Sequence, residues 1–237
     1  MFLEVKNLNK SYKKVDAVKN ASFSLEKGKL AILAGPNGAG KTTTIKCILS
    51  LLKINSGEIL IDGKNSKDRS VREKFAYIPE SPDLYPLLTV WEHFKFIALA
   101  YKVSNWEEKA NNLISTFCIE DKRNSLAKEL SKGMKQKVSI IMALLHDPEI
   151  FFIDEPFIGL DPKGIRDFKE LMKSLKELNI TLLVSTHILA TIEDLSDILI
   201  IMKNGQILEC ASKEELKEKY SEIDGTVEDL FFKITEQ

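Results

Sequence analysis

Leu30-Ala-Ile-Leu-Ala-Gly35-Pro-Asn-Gly-Ala-Gly40-Lys41-Thr42-Thr43 decides the fold. A short apolar run of strand length opens into a glycine-rich turn, and the stretch Thr42–Leu52 continues with helical spacing. Gly35–Thr42 fits the pattern G-x-x-x-x-G-K-[ST] in full. Glycines let successive main-chain N–H groups curl around phosphate oxygens, and the helix that follows aims the positive end of its dipole at the same anion. The Lys41 ammonium suits the outer phosphates of a nucleotide, and the Thr42 hydroxyl suits a Mg²⁺ ion. Strand, turn and helix together predict an α/β core of P-loop (RecA-like) type.

Two more apolar runs, Glu149–Asp154 and Ile180–Ser185, read as buried strands on either side of a charged helix, Lys163–Glu177. A buried parallel strand delivers its last residues to the ligand edge of an open sheet. The first run ends at Asp154-Glu155 and the second at Thr186-His187. At that edge Asp154 is expected to hold Mg²⁺ through water, Glu155 to polarise an attacking water, and a neutral His187 to hydrogen-bond the γ-phosphate. His93 and His146 lie in helical stretches and are read as structural.

Outward from these runs, Leu3–Leu8 and Ser11–Leu25 read as strand, turn and strand, and Gly57–Gly63 alternates like an antiparallel strand. From Val90 to about Leu145 the pattern is helical, opened by a capping box of Thr89 and Glu92. Inside it, Leu130-Ser-Lys-Gly-Met-Lys-Gln-Lys137 is a basic helix start with Ser131 as its N-cap. Ile198–Met202 and Gln206–Cys210 form a hairpin, and Ser212 and Thr226 cap two C-terminal helices. The expected organisation is one domain over 1–237: a core of 1–80 and 148–210 with an antiparallel β-subdomain, a helical insertion over about 81–147, and an extension over about 211–237.

Composition removes other classes. The 34 Lys and Arg against 35 Asp and Glu leave a net charge of −1, so no nucleic-acid partner is expected. With 11 Gly and 7 Pro the chain is not low-complexity. Cys47, Cys118 and Cys210 form no CxxC pair and are read as reduced, mostly buried thiols. The opening MFLEVKNLNKSY lacks a secretory signal pattern, and the apolar runs Val138–Leu145 and Ile198–Met202 are too short to span a membrane.

The order of these segments resembles the nucleotide-binding subunit of ATP-binding cassette (ABC) transporters over nearly the whole chain. Walker A matches Gly35, Pro36, Asn37, Gly38, Ala39, Gly40, Lys41, Thr42 and Thr43; Walker B with its glutamate matches Ile150–Glu155. The signature loop matches Leu130–Met134, the D-loop Gly159-Leu160-Asp161, and the switch histidine His187. The resemblance implies that Tyr12 stacks on adenine and that Lys41, Glu155 and His187 serve catalysis. It further implies that Ser131, Gly133 and Met134 face ATP held by a second copy, or by a similar chain, and that Asp161 connects the two sites. ATP and Mg²⁺ are the implied cofactors. An integral-membrane permease, docked on the helical insertion near Leu84-Tyr-Pro-Leu-Leu88, is the implied partner, and the cytoplasmic face of the membrane the implied location. The same leucines also suit a buried insertion core.

Tyr77-Ile-Pro-Glu80, LSKGMKQK and the ending VEDLFFKIT look like the ABC-2-type exporter branch, and Tyr77-Ile-Pro-Glu-Ser-Pro, Ile153-Asp-Glu-Pro-Phe and Ser185-Thr-His-Ile-Leu-Ala-Thr look closer still to Ecs-type ATPases of Gram-positive bacteria. Ser131 lies 90 residues after Lys41 with no heptad run, which disfavours the coiled-coil chromosome ATPases. A soluble ATPase of cluster-assembly type shares the single-cassette size and is the alternative. Two loops depart from the family pattern. Lys132 and Met134 stand where the signature carries glycine and glutamine, and Glu80 stands where the linking loop carries glutamine. A carboxylate is the harder Mg²⁺ ligand, so Glu80 is expected to sense Mg²⁺·ATP beside Thr42 and Asp154. Glu80→Ala should shift the Mg²⁺ concentration needed for half-maximal turnover; an unchanged Mg²⁺ titration counts against the assignment.

Overall fold

Alternation inside the apolar strands sets the layers. The structure is a computed structural model and describes residues 1–220 and 226–236. Its strands are β1 (Leu3–Tyr12), β2 (Val15–Leu25), β3 (Leu30–Ala34), β4 (Ser56–Ile61), β5 (Lys64–Asn65), β6 (Phe75–Ile78), β7 (Ile150–Asp154), β8 (Thr181–Thr186), β9 (Ile198–Lys203) and β10 (Gln206–Ala211). Its helices are α1 (Lys41–Ile48), α2 (Arg69–Arg72), α3 (Val90–Tyr101), α4 (Trp106–Thr116), α5 (Lys132–Leu144), α6 (Pro162–Glu177), α7 (Lys213–Lys219) and α8 (Val227–Glu236). One sheet has the order β10-β9-β3-β8-β7-β6 and the other β2-β1-β4-β5.

Strands β3, β7 and β8 are buried along their whole length, so both faces of the larger sheet are covered. Leu30, Ile32, Phe151, Ile153, Leu182 and Val184 point into one core, which the helical insertion and α6 complete. Ala31, Leu33, Ile150, Phe152, Leu183 and Ile200 point into the other, which the antiparallel sheet and α1 complete. Parallel pairing of β3 with β8 and of β7 with β8 brings the C-terminal ends of all three strands to one edge.

The expected α/β core, antiparallel subdomain and helical insertion are present. Thr89 accepts from Glu92 N–H while Glu92 accepts from Thr89 N–H, as the capping-box reading requires. Ser131, Ser212 and Thr226 likewise accept main-chain N–H groups three residues on. Some details differ. β1 runs on through Tyr12 and turns at Lys13-Lys14, because Lys13 adopts a left-handed φ of 50° there. The first strand of the late hairpin, β9, also pairs in parallel with β3, so the hairpin is part of the main sheet. β6 was not foreseen; its four residues add an edge strand beside β7.

The thiols correct one expectation. Cys47 is buried, and burial pushes its pKa up to about 11, but Cys118 and Cys210 are exposed. Cys118 sits in the turn after α4 with a φ of 52°, and Cys210 lies on the outward face of the edge strand β10. Of the extension expected over 211–237, residues 221–225 and 237 lie outside the described residues. Among the described residues no helix is long and apolar enough to cross a membrane.

Phe152 is fully buried and meets Phe75 edge-on, with 5.6 Å between centroids. Phe152→Ala should cost about 3–5 kcal/mol in urea unfolding. Leu178→Ala, at a residue 69% exposed, should stay within about 0.5 kcal/mol. Equal losses for the two would contradict the two-core packing.

Candidate active site

The turn after β3 is closed by its surroundings. Gly35 N–H donates to Thr186 O (3.3 Å), and a Cβ on Gly35 would lie 2.2 Å from Met202 O. Gly40 holds a φ of 108°, and a Cβ there would lie 2.4 Å from Ala17 O. No other residue type fits either position without moving main chain. The β9–β10 turn stitches the loop in place: Gly205 N–H donates to Ala39 O (2.9 Å), and Gly205 O accepts from Lys19 N–H (2.7 Å). Lys41, 6% exposed, then reaches back along the loop. Its Nζ donates to Gly35 O (2.7 Å) and Pro36 O (3.3 Å), and pairs with Glu155 Oε1 at 3.1 Å.

The carboxylates are set by register. Asp154 lies opposite Ser185 in the β7–β8 ladder, and its Oδ1 accepts from both Ser185 Oγ and Thr42 Oγ1 (3.0 Å). Burial, reinforced by the charge of Asp154 and then of Glu80, holds the Tyr77 phenol above its ordinary pKa. Glu155 leaves the strand at a φ of 46°, a left-handed conformation that costs a non-glycine residue about 1 kcal/mol or more. Its N–H is held by Ser185 O and Ser185 Oγ, both at 3.1 Å. That turn swings the side chain inward, where Oε2 meets His187 Nδ1 at 2.9 Å and accepts from His187 N–H at 3.3 Å. Glu155 therefore bridges Lys41 and His187.

A cleft of about 660 Å³ opens in front of these groups, lined by Asn37–Thr43, Glu80, Glu155 and Ile158 and by the β2 residues Val15–Ala17 and Lys19. Glu80 thus reaches the same cleft as Thr42. Tyr12 is not among the lining residues; it is 43% exposed, with the Lys10 ammonium 4.8 Å from its ring centroid. Ser131 lies exposed at the start of α5, where its hydroxyl accepts from Met134 N–H (3.3 Å), with Gly133 and Met134 in the same first turn. Asp161 caps α6, accepting from Gly164 N–H at 2.9 Å. The structure brings together Gly35–Thr43, Glu80, Asp154, Glu155 and His187, and leaves Tyr12, Ser131, Gly133, Met134 and Asp161 outside that group.

Sequence reasoning missed Ser185, Val15–Ala17, Lys19, Ile158, Asn204 and Gly205, the last two also lining the cleft. Ser185 alone carried a signal, as a polar residue closing an apolar strand. His93 and His146 are structural: His93 Nδ1 donates to Thr89 O (2.7 Å) while its Nε2 accepts from Tyr85 N–H (3.0 Å). His146 meets Phe75 O at 2.9 Å, and burial lowers its pKa.

A buried lysine, a glycine loop, two strand-end carboxylates and a histidine at one sheet edge define a nucleoside-triphosphate hydrolase. The family model of the ABC transporter matches residues 18–158. The chain is 39% identical to the ABC-type transporter ATP-binding protein EcsA of Bacillus subtilis, over 99% of this chain and 97% of that protein. It is 36% identical to the SkfA peptide export ATP-binding protein SkfE of the same organism, over 87% of each. A solved ATP-binding subunit of an ABC transporter superposes with a TM-score of 0.91 at 37% identity, over 99% of both chains. A dimeric cassette in a post-hydrolysis state, bound to ADP and Pi, superposes with a TM-score of 0.80 at 27% identity, over 89% of this chain and 98% of that one. The chain belongs to the ABC transporter family, as an ATP-binding and ATP-hydrolysing subunit.

Ser185 holds both the Asp154 carboxylate and the Glu155 main chain. Ser185→Ala should lower kcat about tenfold, with KM for ATP changed less than twofold, in steady-state ATPase assays. A wild-type kcat would remove Ser185 from the account.

Proposed function

We propose that this chain powers export through a separate membrane-spanning subunit, closing against a second ATP-binding subunit with ATP held between the two. The observation that carries the reading is the split between the cleft and the Ser131 turn. Lys41 and Glu155 meet in the cleft, with His187 against Glu155, while Ser131 and Gly133 lie outside it at the start of α5. One chain therefore offers a phosphate cradle and, elsewhere, a helix start able to complete a neighbour's cradle. The relatives named for peptide export and for lantibiotic transport, the latter 34% identical over 92% of this chain, support the direction of transport.

Within the cleft the loop amides and Lys41 stabilise charge on the phosphates. Glu155 accepts a hydrogen bond from the attacking water. Water oxygen bonds to the γ-phosphorus as the bond to the bridging oxygen of ADP breaks, and ADP and phosphate leave. His187 holds Glu155 and the γ-phosphate in line. Thr42, Asp154 and Glu80 present hard oxygen donors that suit Mg²⁺, which supplies charge neutralisation on the phosphates.

The membrane subunit has a surface to meet. Leu84 is buried, but Tyr85 and Leu87 are 56% and 73% exposed, and Phe96 and Leu99 on α3 are exposed as well. This apolar face follows directly from the Glu80 loop, so a partner resting on it would place the protein at the cytoplasmic face of the membrane.

Glu155→Gln should keep ATP binding while lowering turnover at least a hundredfold. Purification of the tagged variant from native membranes in mild detergent should recover a multi-span membrane protein at near-equal stoichiometry. Recovery without such a partner would overturn the transport reading, and an active Glu155→Gln would overturn the role of Glu155.

A further inference from the structure

The loop that follows Glu155 is gripped by α5 from the side. Pro156 O accepts from Gln136 Nε2 at 2.8 Å, with Gln136 only 1% exposed. Ile158 O accepts from Lys132 Nζ at 2.5 Å. Lys132 and Gln136 are four residues apart and share a helix face, so the two bonds act as a two-point clamp one turn long. The Lys132 side chain also covers Gly159, where a Cβ would come within 3.4 Å of its Cδ and Nζ. Beside it, a Cβ on Gly133 would come within 3.5 Å of Leu160. The clamped segment is short and consequential. It begins at Glu155, carries Ile158 into the nucleotide cleft, and ends at Asp161, the cap of α6.

We propose that Lys132 is a positioning residue that ties the Ser131 turn to the segment behind Glu155. When that turn seats on the neighbouring subunit's ATP, the tie holds Glu155 and Ile158 in place in its own cleft. The proposal rests on the two-subunit reading above. Its physical basis is that a lysine–carbonyl bond is charge-assisted, and thus stronger than a neutral one. It replaces what the glycine of the usual signature pattern cannot make, since glycine has no donor beyond the main chain. The Lys132 ammonium is engaged on Ile158 O and does not line the cleft, so its effect reaches the chemistry of its own cleft through Glu155.

Three variants of the full chain separate the donor from the bulk. Lys132→Met keeps methylenes over Gly159 and loses the donor, Lys132→Gly loses both, and Lys132→Arg keeps a donor. Lys132→Met and Lys132→Gly should lower kcat about tenfold, with KM for ATP changed less than twofold and a Hill coefficient for ATP nearer to one. Lys132→Arg should recover most of kcat. Light scattering with ATP on Glu155→Gln and on Glu155→Gln/Lys132→Met tests the underlying reading at the same time, and both should form dimers. A wild-type kcat in Lys132→Met, a loss confined to KM, or an arginine variant no better than the methionine one overturns the role of Lys132 while the dimer stands. Failure of Glu155→Gln itself to dimerise overturns the two-subunit reading and the tie with it.

Discussion

An ammonium group with 6% of its surface exposed has to be answered by its neighbours, and Lys41 is answered by three. Two are carbonyls of its own loop, and the third is Glu155, itself nearly buried. Removing one partner of such a pair costs about 3–5 kcal/mol, because the other charge is left behind. The pair therefore constrains two segments far apart in sequence. The loop after β3 and the end of β7 must arrive at one point, and the β3-β8-β7 order with its parallel pairing is what delivers them there. His187, at the end of the strand between them, closes the set from the middle.

The same constraint explains where strain is tolerated. Glu155 takes a left-handed φ, and Gly35 and Gly40 pack where no Cβ fits. Each is held by main-chain bonds from a neighbouring element: Ser185 for Glu155, Thr186 for Gly35, and the Gly205 turn for the loop that Gly40 ends. Rigid strands with cores on both faces make those anchors firm. The groups held less firmly are the ones that face outward: Ser131, Asp161, and the apolar residues Tyr85 and Leu87. A motor needs both kinds, a fixed cradle for the phosphates and open surfaces that take up new neighbours.

Much of this was legible in the residues. A glycine loop between an apolar run and a helical one has few other uses, and a buried strand ending in Asp154-Glu155 or in Thr186-His187 announces the sheet edge. Helix starts were legible too, since Thr89, Ser131, Ser212 and Thr226 cap by local bonds that depend on neighbours three residues away. What was hidden depends on register or on long side chains. Ser185 matters because pairing sets it opposite Asp154, and no local pattern encodes that. β6 is four residues long and ends at a proline, too short for its alternation to be read. Val15–Ala17 and Lys19 line the cleft only because the Gly205 turn folds beside them. Residue type alone suggests mostly buried thiols, but a left-handed turn and an edge strand put Cys118 and Cys210 outside.

The central claim is that one chain supplies the Lys41–Glu155–His187 cradle and a second chain supplies the Ser131 turn to the same ATP. A crystal structure of Glu155→Gln with ATP and Mg²⁺ tests it most directly. The account predicts two chains head to tail, each γ-phosphate touching Lys41 and His187 of one copy and Ser131 of the other. ATP bound at Lys41 in a chain whose Ser131 turn faces only solvent would contradict it.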